Sequence, residues 1–493
     1  MPEHLGRRIG GGVRWSAVEQ FGQELIRLGS LAILARLLSP SDFGAVALAL
    51  VFVGFVTILA EFNVSSAVVQ RPSVPPEFLD TAFWLNVLLG LLACSITVTI
   101  AGPIARAYGR AELAPIIQVA AIGLLIMPAA GVPFGLLQRR MNFAGIARRN
   151  LAGAAAGQMA AVAAAWHGFG SMSLIIGTLA STLSVAVAGW TGAGWRPGFH
   201  FNRTMAREIL GFSGNLSVSS FIGYWSRNFD QFVIGSWVGE HALGLYTRAI
   251  SLLFLPLRKI AGRVDAVLFP AFASIRDDPA RIALIYLKTT RLVALLTFPL
   301  ALGMWATAPD LIRILFGPDW SEMEPLVRIL CPLGAIQSIL TLGSSIYRAL
   351  GRVDVALRIT LLVTSGTSLS IIAGLMTGGL LGVAVAYALF SLAAAPFIYL
   401  AAVRRIGLGL LDQIRNLRSI GLSSIIMAAA VQLLQRTLDG HHLAMRFPIV
   451  VIVGVLLYCG LNHALRVQAY AEAIEILRTR LGWTRTPPMQ SGD

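Results

Sequence analysis

Charged residues are scarce in this chain. Of its 493 residues only 13% are Asp, Glu, Lys or Arg, whereas soluble domains contain about 25%. Because 56% of the residues are hydrophobic and the mean hydropathy is +0.73, a water-soluble globular protein is excluded. No polar stretch exceeds about 30 residues, which leaves no room for a large domain outside the membrane. The composition predicts an all-α, polytopic membrane protein.

Cysteine is also rare. Cys94, Cys331 and Cys459 each lie alone in an apolar run, so neither a disulfide framework nor a metal site with cysteine ligands is indicated. The seven histidines, among them His441 and His442, show no metal-ligand spacing with a catalytic carboxylate. We therefore expect no cofactor and no enzymatic activity. A lipid-linked sugar polymerase, ligase or glycosyltransferase would need a larger extramembrane region.

Acidic residues are fewer than basic ones, 24 against 39, which gives a net charge of +15. Nucleic acid binding is one explanation, but the basic residues sort by loop. Roughly twenty-six lie in the loops of one side and about six in those of the other, as the positive-inside rule requires. The bias predicts that both termini are cytoplasmic, and we expect no nucleic acid partner.

Apolar runs of membrane-spanning length recur from end to end. We predict about fourteen transmembrane helices, near residues 13–37, 43–62, 80–101, 113–137, 147–166, 169–190, 211–236, 244–269, 287–307, 326–347, 359–377, 380–402, 419–435 and 447–465.

The chain also repeats itself with an offset of roughly 200–210 residues. Gly44 aligns with Gly244, and residues 102–109 resemble residues 309–317. A unit of six helices is even, so both copies enter the membrane from the same side and form a parallel repeat. The predicted divisions are an N-terminal six-helix lobe (1–208), a C-terminal six-helix lobe (209–404), two additional helices (405–465) and a cytoplasmic amphipathic segment with a disordered tail (466–493).

The first span is polar along one face. At helical spacing Glu19, Gln23 and Arg27 lie on one side, and Glu24 is placed to pair with Arg27. Each charge near the centre of a lipid-facing helix costs on the order of 2.5–3.5 kcal/mol, more than a leucine returns. We therefore expect this face to line a wet cavity walled by protein. Glu61 and Asn63 close the second span.

The seventh span, which the repeat places over the first, is polar on one face as well. A stripe runs from Ser213 to Gln231 and includes Tyr224, Arg227 and Asn228. Asp230 lies three residues after Arg227 and is placed to pair with it. The repeat thus supplies two polar first helices, which can meet only at the interface of the lobes, where repeat transporters bind their substrates.

Basic residues outnumber carboxylates in the first, seventh and eighth spans. The excess favours an anionic ligand, because guanidinium groups bind phosphate oxygens in a bidentate fashion. The alternative is that these charges only pair with one another and lock the lobes. The candidate substrate-binding residues are Glu19, Gln23, Glu24, Arg27, Tyr224, Arg227, Asn228, Asp230, Gln231 and Arg248.

Three segments, 13–50, 65–92 and 227–257, resemble the Wzx-type polysaccharide exporters. The resemblance is closest to the colanic-acid-exporter branch of the polysaccharide transport family, within the superfamily of flippases and multidrug exporters. It extends over nearly the whole chain and is specific in the first span, at Gln70 and Arg71, and in the third segment.

The resemblance implies two lobes in a V and a central cavity that opens alternately to each side of the bacterial inner membrane. The implied cargo is an undecaprenyl-pyrophosphate-linked oligosaccharide, flipped to the periplasmic leaflet for exopolysaccharide or lipopolysaccharide biosynthesis. Its candidate partners are membrane lipids, a polysaccharide polymerase and chain-length machinery. The two additional helices resemble the pair that flanks a lipid-tail groove in lipid II flippases.

One alternative is a multidrug or other small-molecule exporter of the same superfamily, which would prefer carboxylates in its cavity. Another is a structural scaffold, which would not explain the polar faces.

Overall fold

The computed structural model describes residues 2–60, 68–69, 71, 73–140 and 142–480, and these form helices with no strand among them. Nine of the described helical segments are long and apolar enough to cross a membrane, and one of them, Asp354–Ile406, covers two predicted spans. The predicted all-α, multi-pass fold is confirmed. The count of fourteen spans stays a prediction.

The chain divides into two compact units. Unit 1 is Met1–Thr247 with Leu315–Asp319, and unit 2 is Arg248–Ile314 with Trp320–Asp493. The predicted division into lobes at residue 208 rests on the repeat and stays a prediction.

Among the described residues of unit 1, eight helices have both bounds given, and a ninth begins there. They are α1 (Pro2–Leu37), α2 (Pro40–Ala60), α3 (Pro76–Ala107), α4 (Leu113–Ala121), α5 (Gly123–Arg139), α6 (Phe143–Trp166), α7 (Met172–Ala193), α8 (Arg203–Trp237) and the first turns of α9 (Glu240–Ser274). Helix α1 packs against α6, α6 against α7, and α8 against α2.

Unit 2 holds the rest of α9 and the helices that follow it. These are α10 (Pro279–Ala306), α11 (Ala308–Leu315), α12 (Glu324–Ala349), α13 (Val353–Val403), α14 (Leu410–Thr437), α15 (Leu443–Ala464) and α16 (Gln468–Arg480). The last residue of α11 and the first two residues of a 3₁₀ turn at Pro318–Met323 belong to unit 1. Helix α10 is central, because it packs against α12, α14 and α16.

The helix starts follow from local sequence chemistry. Pro76 and Pro279 stand in the first turns of α3 and α10, where a missing N–H costs nothing. The side chain of Asn202 accepts hydrogen bonds from the first backbone N–H groups of α8, and Asp278 does the same for α10. Ser39 and Asp42 exchange side-chain and backbone hydrogen bonds of 2.9–3.2 Å at the start of α2.

Helix ends recur at the offset of the sequence repeat. Helix α1 ends at Leu37 and α8 at Trp237, while α2 begins at Pro40 and α9 at Glu240. The connections between the first and second helices of the two copies are therefore equivalent in length and position.

Two glycines show the same correspondence further along the chain. Gly109 (φ 64°) and Gly317 (φ 97°) both adopt the left-handed backbone conformation that glycine permits without steric cost. They close the two segments that the repeat aligned, so the matched turns are matched in conformation as well.

The start of α3 holds the connection that leads into α8. The buried carboxylate of Asp80 accepts a hydrogen bond of 2.9 Å from the backbone N–H of Gly198, and the Trp84 indole donates to the Gly198 carbonyl oxygen at 2.8 Å. The hydroxyl of Thr81 accepts from the backbone N–H of Asn202 at 3.1 Å. The segment that carried part of the family resemblance thus positions Asn202, the residue that caps α8.

Helix α13 is two helices joined by a tight turn. Gly378 and Gly379 leave helical geometry, with φ values of −160° and 56°. The two halves pack closely, since a Cβ added to Gly374 would lie 2.3 Å from the carbonyl oxygen of Gly382. The break lies at the predicted boundary between the eleventh span (359–377) and the twelfth span (380–402).

The segment predicted to be amphipathic after residue 465 is helical over Gln468–Arg480. It packs against α10, where Glu472 lies 3.6 Å from the Lys288 ammonium and 3.9 Å from the Arg291 guanidinium. The tail that we predicted to be disordered, residues 481–493, lies outside the described residues.

Candidate substrate-binding residues

The polar face of α1 finds partners on α6. The amide of Asn150 donates to the Glu19 carboxylate at 2.6 Å, and the hydroxyl of the buried Ser30 donates to the Gln158 side chain at 2.6 Å. Sequence reasoning missed Asn150 and Gln158. Their signal is their polarity in a run otherwise rich in alanine and glycine.

Glu24 and Arg27 pair with each other within α1. The Arg27 guanidinium lies 2.5 Å from the Glu24 carboxylate, and both side chains are partly exposed, by 37% and 22%. Phe21 and Leu25, which the helical spacing places on the opposite side, are 61% and 73% exposed, as expected of a lipid-facing surface. Gln23 is half-buried.

Helix α8 is bound to α2 through Tyr224. Its hydroxyl donates to the backbone carbonyl of Val51 at 2.8 Å and approaches that of Leu50 at 3.2 Å. Gly54 makes room for the ring, because an added Cβ there would lie 2.4 Å from the Tyr224 hydroxyl oxygen. Tyr224 is therefore a packing contact between two helices of unit 1.

The polar stripe of α8 continues below Tyr224. Asn228 donates to the Tyr224 carbonyl at 2.9 Å and accepts from the Gln231 amide at 3.4 Å. The Asp230 carboxylate accepts from the Tyr246 hydroxyl at 3.0 Å. Arg227 is exposed, and no carboxylate in the described part of the chain forms an ion pair with it.

The ion pair between Arg227 and Asp230 that the spacing suggested is therefore not formed in the structure. The Arg227 guanidinium lies over Gly223, where an added Cβ would be 3.2 Å from a terminal nitrogen. Arg248 is half-buried and is the first residue of unit 2. The side chains of Ser213 and Ser217 and the residues Glu61 and Asn63 lie outside the described part.

The starts of α2 and α9 meet through a reciprocal glycine contact, which we call the outer contact. A Cβ added to Gly44 would lie 1.7 Å from the carbonyl oxygen of Glu240, and one added to Gly244 would lie 1.8 Å from that of Pro40. Each glycine thus faces the residue four positions before the other one. Both lie within unit 1, and no side chain fits at either position.

Side chains from the turn that follows α3 support the outer contact. The Arg110 guanidinium lies 2.7 Å from the Glu240 carboxylate, whose side chain is only 11% exposed. The hydroxyls of Tyr108 and Ser236 are 2.7 Å apart, and the Phe52 ring packs edge-on to Tyr108 with centroids 5.8 Å apart. This end of unit 1 is closed by backbone contact, one ion pair and aromatic packing.

Unit 2 contains an apolar cavity of about 550 Å³ between α10, α14, α15 and α16. Its lining runs from Thr307 and Leu311 at one end to Tyr470 and Ile474 at the other. The pair of additional helices supplies one wall, including Val450 and Gly454 on α15, and almost all of the lining is hydrocarbon. The cavity is suited to an apolar chain.

A profile of the family described as polysaccharide biosynthesis protein matches residues 33–325. This chain belongs to that family. Among curated members, the lipopolysaccharide biosynthesis protein WzxC of Escherichia coli is 27% identical over 380 residues, which are 77% of each chain. The succinoglycan biosynthesis transport protein ExoT of Rhizobium meliloti is 28% identical over 318 residues, 64% of each chain.

The chain also shares its fold with a protein of solved structure. The lipid II flippase MurJ, in an inward closed conformation, superposes with a TM-score of 0.76 at 16% identity, covering 94% of this chain and all of MurJ. That coverage exceeds what the two predicted lobes supply, so the likeness includes the additional helices. No group of three or more His, Cys, Asp or Glu side chains suited to a metal occurs in the described part of the chain.

Proposed function

We propose that this protein flips a lipid-linked oligosaccharide across the bacterial inner membrane, from the cytoplasmic to the periplasmic leaflet. The observation that carries the proposal is the fold that it shares with a lipid II flippase, additional helices included. Membership of the polysaccharide biosynthesis family supplies the class of cargo, and the names of WzxC and ExoT agree with it.

The polar faces of α1 and α8 would line the passage for the sugar and its pyrophosphate. Arg227 is the leading contact, because it is exposed and has no carboxylate partner in the described part of the chain. The other proposed contacts are Glu19, Gln23, Glu24, Arg27, Asn228, Asp230, Gln231 and Arg248. A guanidinium with no carboxylate partner among the described residues is available to pyrophosphate oxygens.

The apolar cavity beside α14 and α15 would hold part of the undecaprenyl chain. Its wall carries almost no polar atoms, and its ends lie near Thr307 and near Tyr470. The cargo is anionic at its head and apolar along its tail, so a charged surface and an apolar cavity suit its two parts separately.

We also propose that both termini are cytoplasmic and that a polysaccharide polymerase and chain-length machinery receive the flipped cargo. The arginine bias of the loops supports the orientation. Cysteines substituted at Ser321 and Ala144 test it in intact cells. An impermeant maleimide should label the first and spare the second, and the reverse result would overturn the orientation.

The function is tested by flipping in proteoliposomes. Purified protein should move the undecaprenyl-pyrophosphate-linked sugar that accumulates in cells lacking it, measured by access of the sugar to an external glycosidase. The multidrug alternative predicts instead that the proteoliposomes transport an organic cation such as ethidium. Cation transport without movement of the lipid-linked sugar would overturn the proposal.

A further inference from the structure

A polar cavity of about 540 Å³ lies at the end of unit 2 that carries α11 and the connection between α14 and α15. By the proposed orientation this end faces the periplasm. The volume is within the range of about 300–1,000 Å³ that is typical of small-molecule sites. The cavity shares no lining residue with the apolar cavity beside α15.

A buried ion pair forms one wall of this cavity. The guanidinium of Arg446 binds the Asp310 carboxylate in a bidentate fashion, with one bond of 2.9 Å from Nε, and it also lies 2.5 Å from the Asp439 carboxylate. The side chains of Arg446 and Asp310 are only 11% and 1% exposed. This arrangement ties the first turns of α11 and α15 to the end of α14, so the wall is fixed before a ligand arrives.

Positive charge prevails on the rest of the lining. Arg313 and Arg436 are exposed, and within the described part neither has a carboxylate partner. Arg328 pairs with Glu324 at 2.9 Å, but its Nε is buried and has no hydrogen-bond partner among the described residues. The cavity therefore offers free guanidinium donors, one of which is a buried donor without an acceptor.

Neutral hydrogen-bonding groups stand among these charges. The side chains of Ser321, Gln432 and Gln435 line the cavity, and Gln435 is buried. Amides and hydroxyls can both donate and accept, which matches the hydroxyl groups of a sugar. Guanidinium forks match a carboxylate. A simple anion would use the arginines alone and leave the amides without a role.

We propose that this cavity binds a carboxylated saccharide on the outer side of the membrane, through Arg313, Arg436 and the Nε of Arg328. The outer location rests on the proposed function and its orientation. Binding here would hold the acidic part of a delivered saccharide on the outer side of the membrane and so oppose its return.

Protection of a cysteine from alkylation tests the site directly. The full chain would carry Ser321→Cys in a background where Cys94, Cys331 and Cys459 are replaced by alanine. The probe is a hyaluronan tetrasaccharide, which alternates glucuronic acid with N-acetylglucosamine, and the neutral control is chitotetraose. We expect the acidic probe to slow alkylation saturably, and the neutral one to have no effect.

The arginines supply the decisive variants. Arg313→Gln and Arg436→Gln should each weaken the apparent affinity of the acidic probe about tenfold, since each removes a charge-assisted contact. Arg106→Gln, an exposed arginine of α3 outside the cavity, should leave it unchanged. Arg436→Lys keeps the charge and should fall between these results. Thermal melting of each variant shows that it is folded.

Three results would overturn the proposal: no protection by the acidic probe, equal protection by chitotetraose, or protection that both arginine variants leave intact. A short-chain phosphatidylglycerol tests the other source of an anionic group. If it protects with the same arginine dependence and the tetrasaccharide does not, the cavity binds a lipid headgroup. Flipping by the parent protein is measured separately, so a failure of the proposed function is distinguishable from a failure of this site.

Discussion

The first helices of the two sequence repeats carry similar polar faces but treat their charges differently. On α1, Glu24 and Arg27 pair with each other at 2.5 Å, and Glu19 is bound by Asn150 of α6. On α8, Arg227 is exposed and has no carboxylate partner in the described part of the chain. In the first copy each of these charged groups has a hydrogen-bond or ion-pair partner, whereas the second leaves a cation available among the described residues.

At the outer contact, by contrast, the two copies make equivalent interactions. Gly44 meets the backbone of Glu240, and Gly244 meets the backbone of Pro40. A contact of backbone against backbone allows no side chain, so it constrains both copies alike. A polar helix face imposes no such steric limit on its side chains. The charged residues of one copy can therefore differ from those of the other. We therefore expect the two copies to differ in function through the charged residues of their first helices.

The largest effect should come from breaking the symmetric contact. Gly44→Ala and Gly244→Ala place a Cβ less than 2 Å from a carbonyl oxygen, so the helices must separate. We expect each variant to lose flipping roughly a hundredfold, which is about 2.7 kcal/mol. Gly262→Ala on α9, where an added Cβ meets no atom within 4 Å, is the matched control. Full activity of either glycine variant would show that the outer contact is dispensable.

The next effect concerns the unequal arginines. Arg227→Gln should reduce flipping about tenfold or more, because it removes the guanidinium that is proposed to bind the pyrophosphate of the cargo. Arg27→Gln should also reduce flipping, but chiefly by breaking the ion pair of 2.5 Å with Glu24. The second substitution Glu24→Gln should then restore activity to within about threefold of the parent.

The arginine comparison has a clear contrary outcome. If Glu24→Gln fails to rescue Arg27→Gln, Arg27 acts on the cargo itself and the two polar faces are functionally equal. If Arg227→Gln is fully active, Arg227 supplies no substrate contact, and the unequal pairing of the two arginines has no functional consequence. Protein amount in the membrane, measured by immunoblot, controls for folding in every variant.

A smaller effect is expected from removing the hydrogen bond that Asn150 of α6 donates to Glu19 of α1. Asn150→Ala removes the hydrogen bond to Glu19 and should lower stability by about 1–3 kcal/mol, because the carboxylate is left partly buried. Asn150→Asp should destabilise more, since it sets two carboxylates at hydrogen-bond distance. Melting of the purified protein measures both. An unchanged melting temperature for Asn150→Asp would show that Glu19 does not rely on α6.

Much of this could be predicted from the sequence, for physical reasons. Apolar runs set the class of fold, and the alignment of Gly44 with Gly244 identified equivalent positions of the repeat. That alignment did not predict that each glycine contacts the backbone of the other copy. The partner of Glu19 could not be predicted, since helical spacing gives the face of a residue but not the neighbouring helix. The spacing of Arg227 and Asp230 favoured an ion pair, yet Asp230 is bound by Tyr246, sixteen residues further on.

The smallest effect should come from Tyr224, whose position fits packing better than binding of cargo. Tyr224→Phe removes a hydrogen bond to the Val51 carbonyl, which is worth about 1 kcal/mol, and leaves the ring against Gly54. Flipping should stay within about twofold of the parent, and the melting temperature should fall slightly. Tyr224→Ala should destabilise more, because it also empties the space that the ring fills beside Gly54. If Tyr224→Phe instead abolishes flipping at an unchanged melting temperature, the hydroxyl acts on the cargo. The stripe of α8 would then contribute to binding on both sides of Arg227.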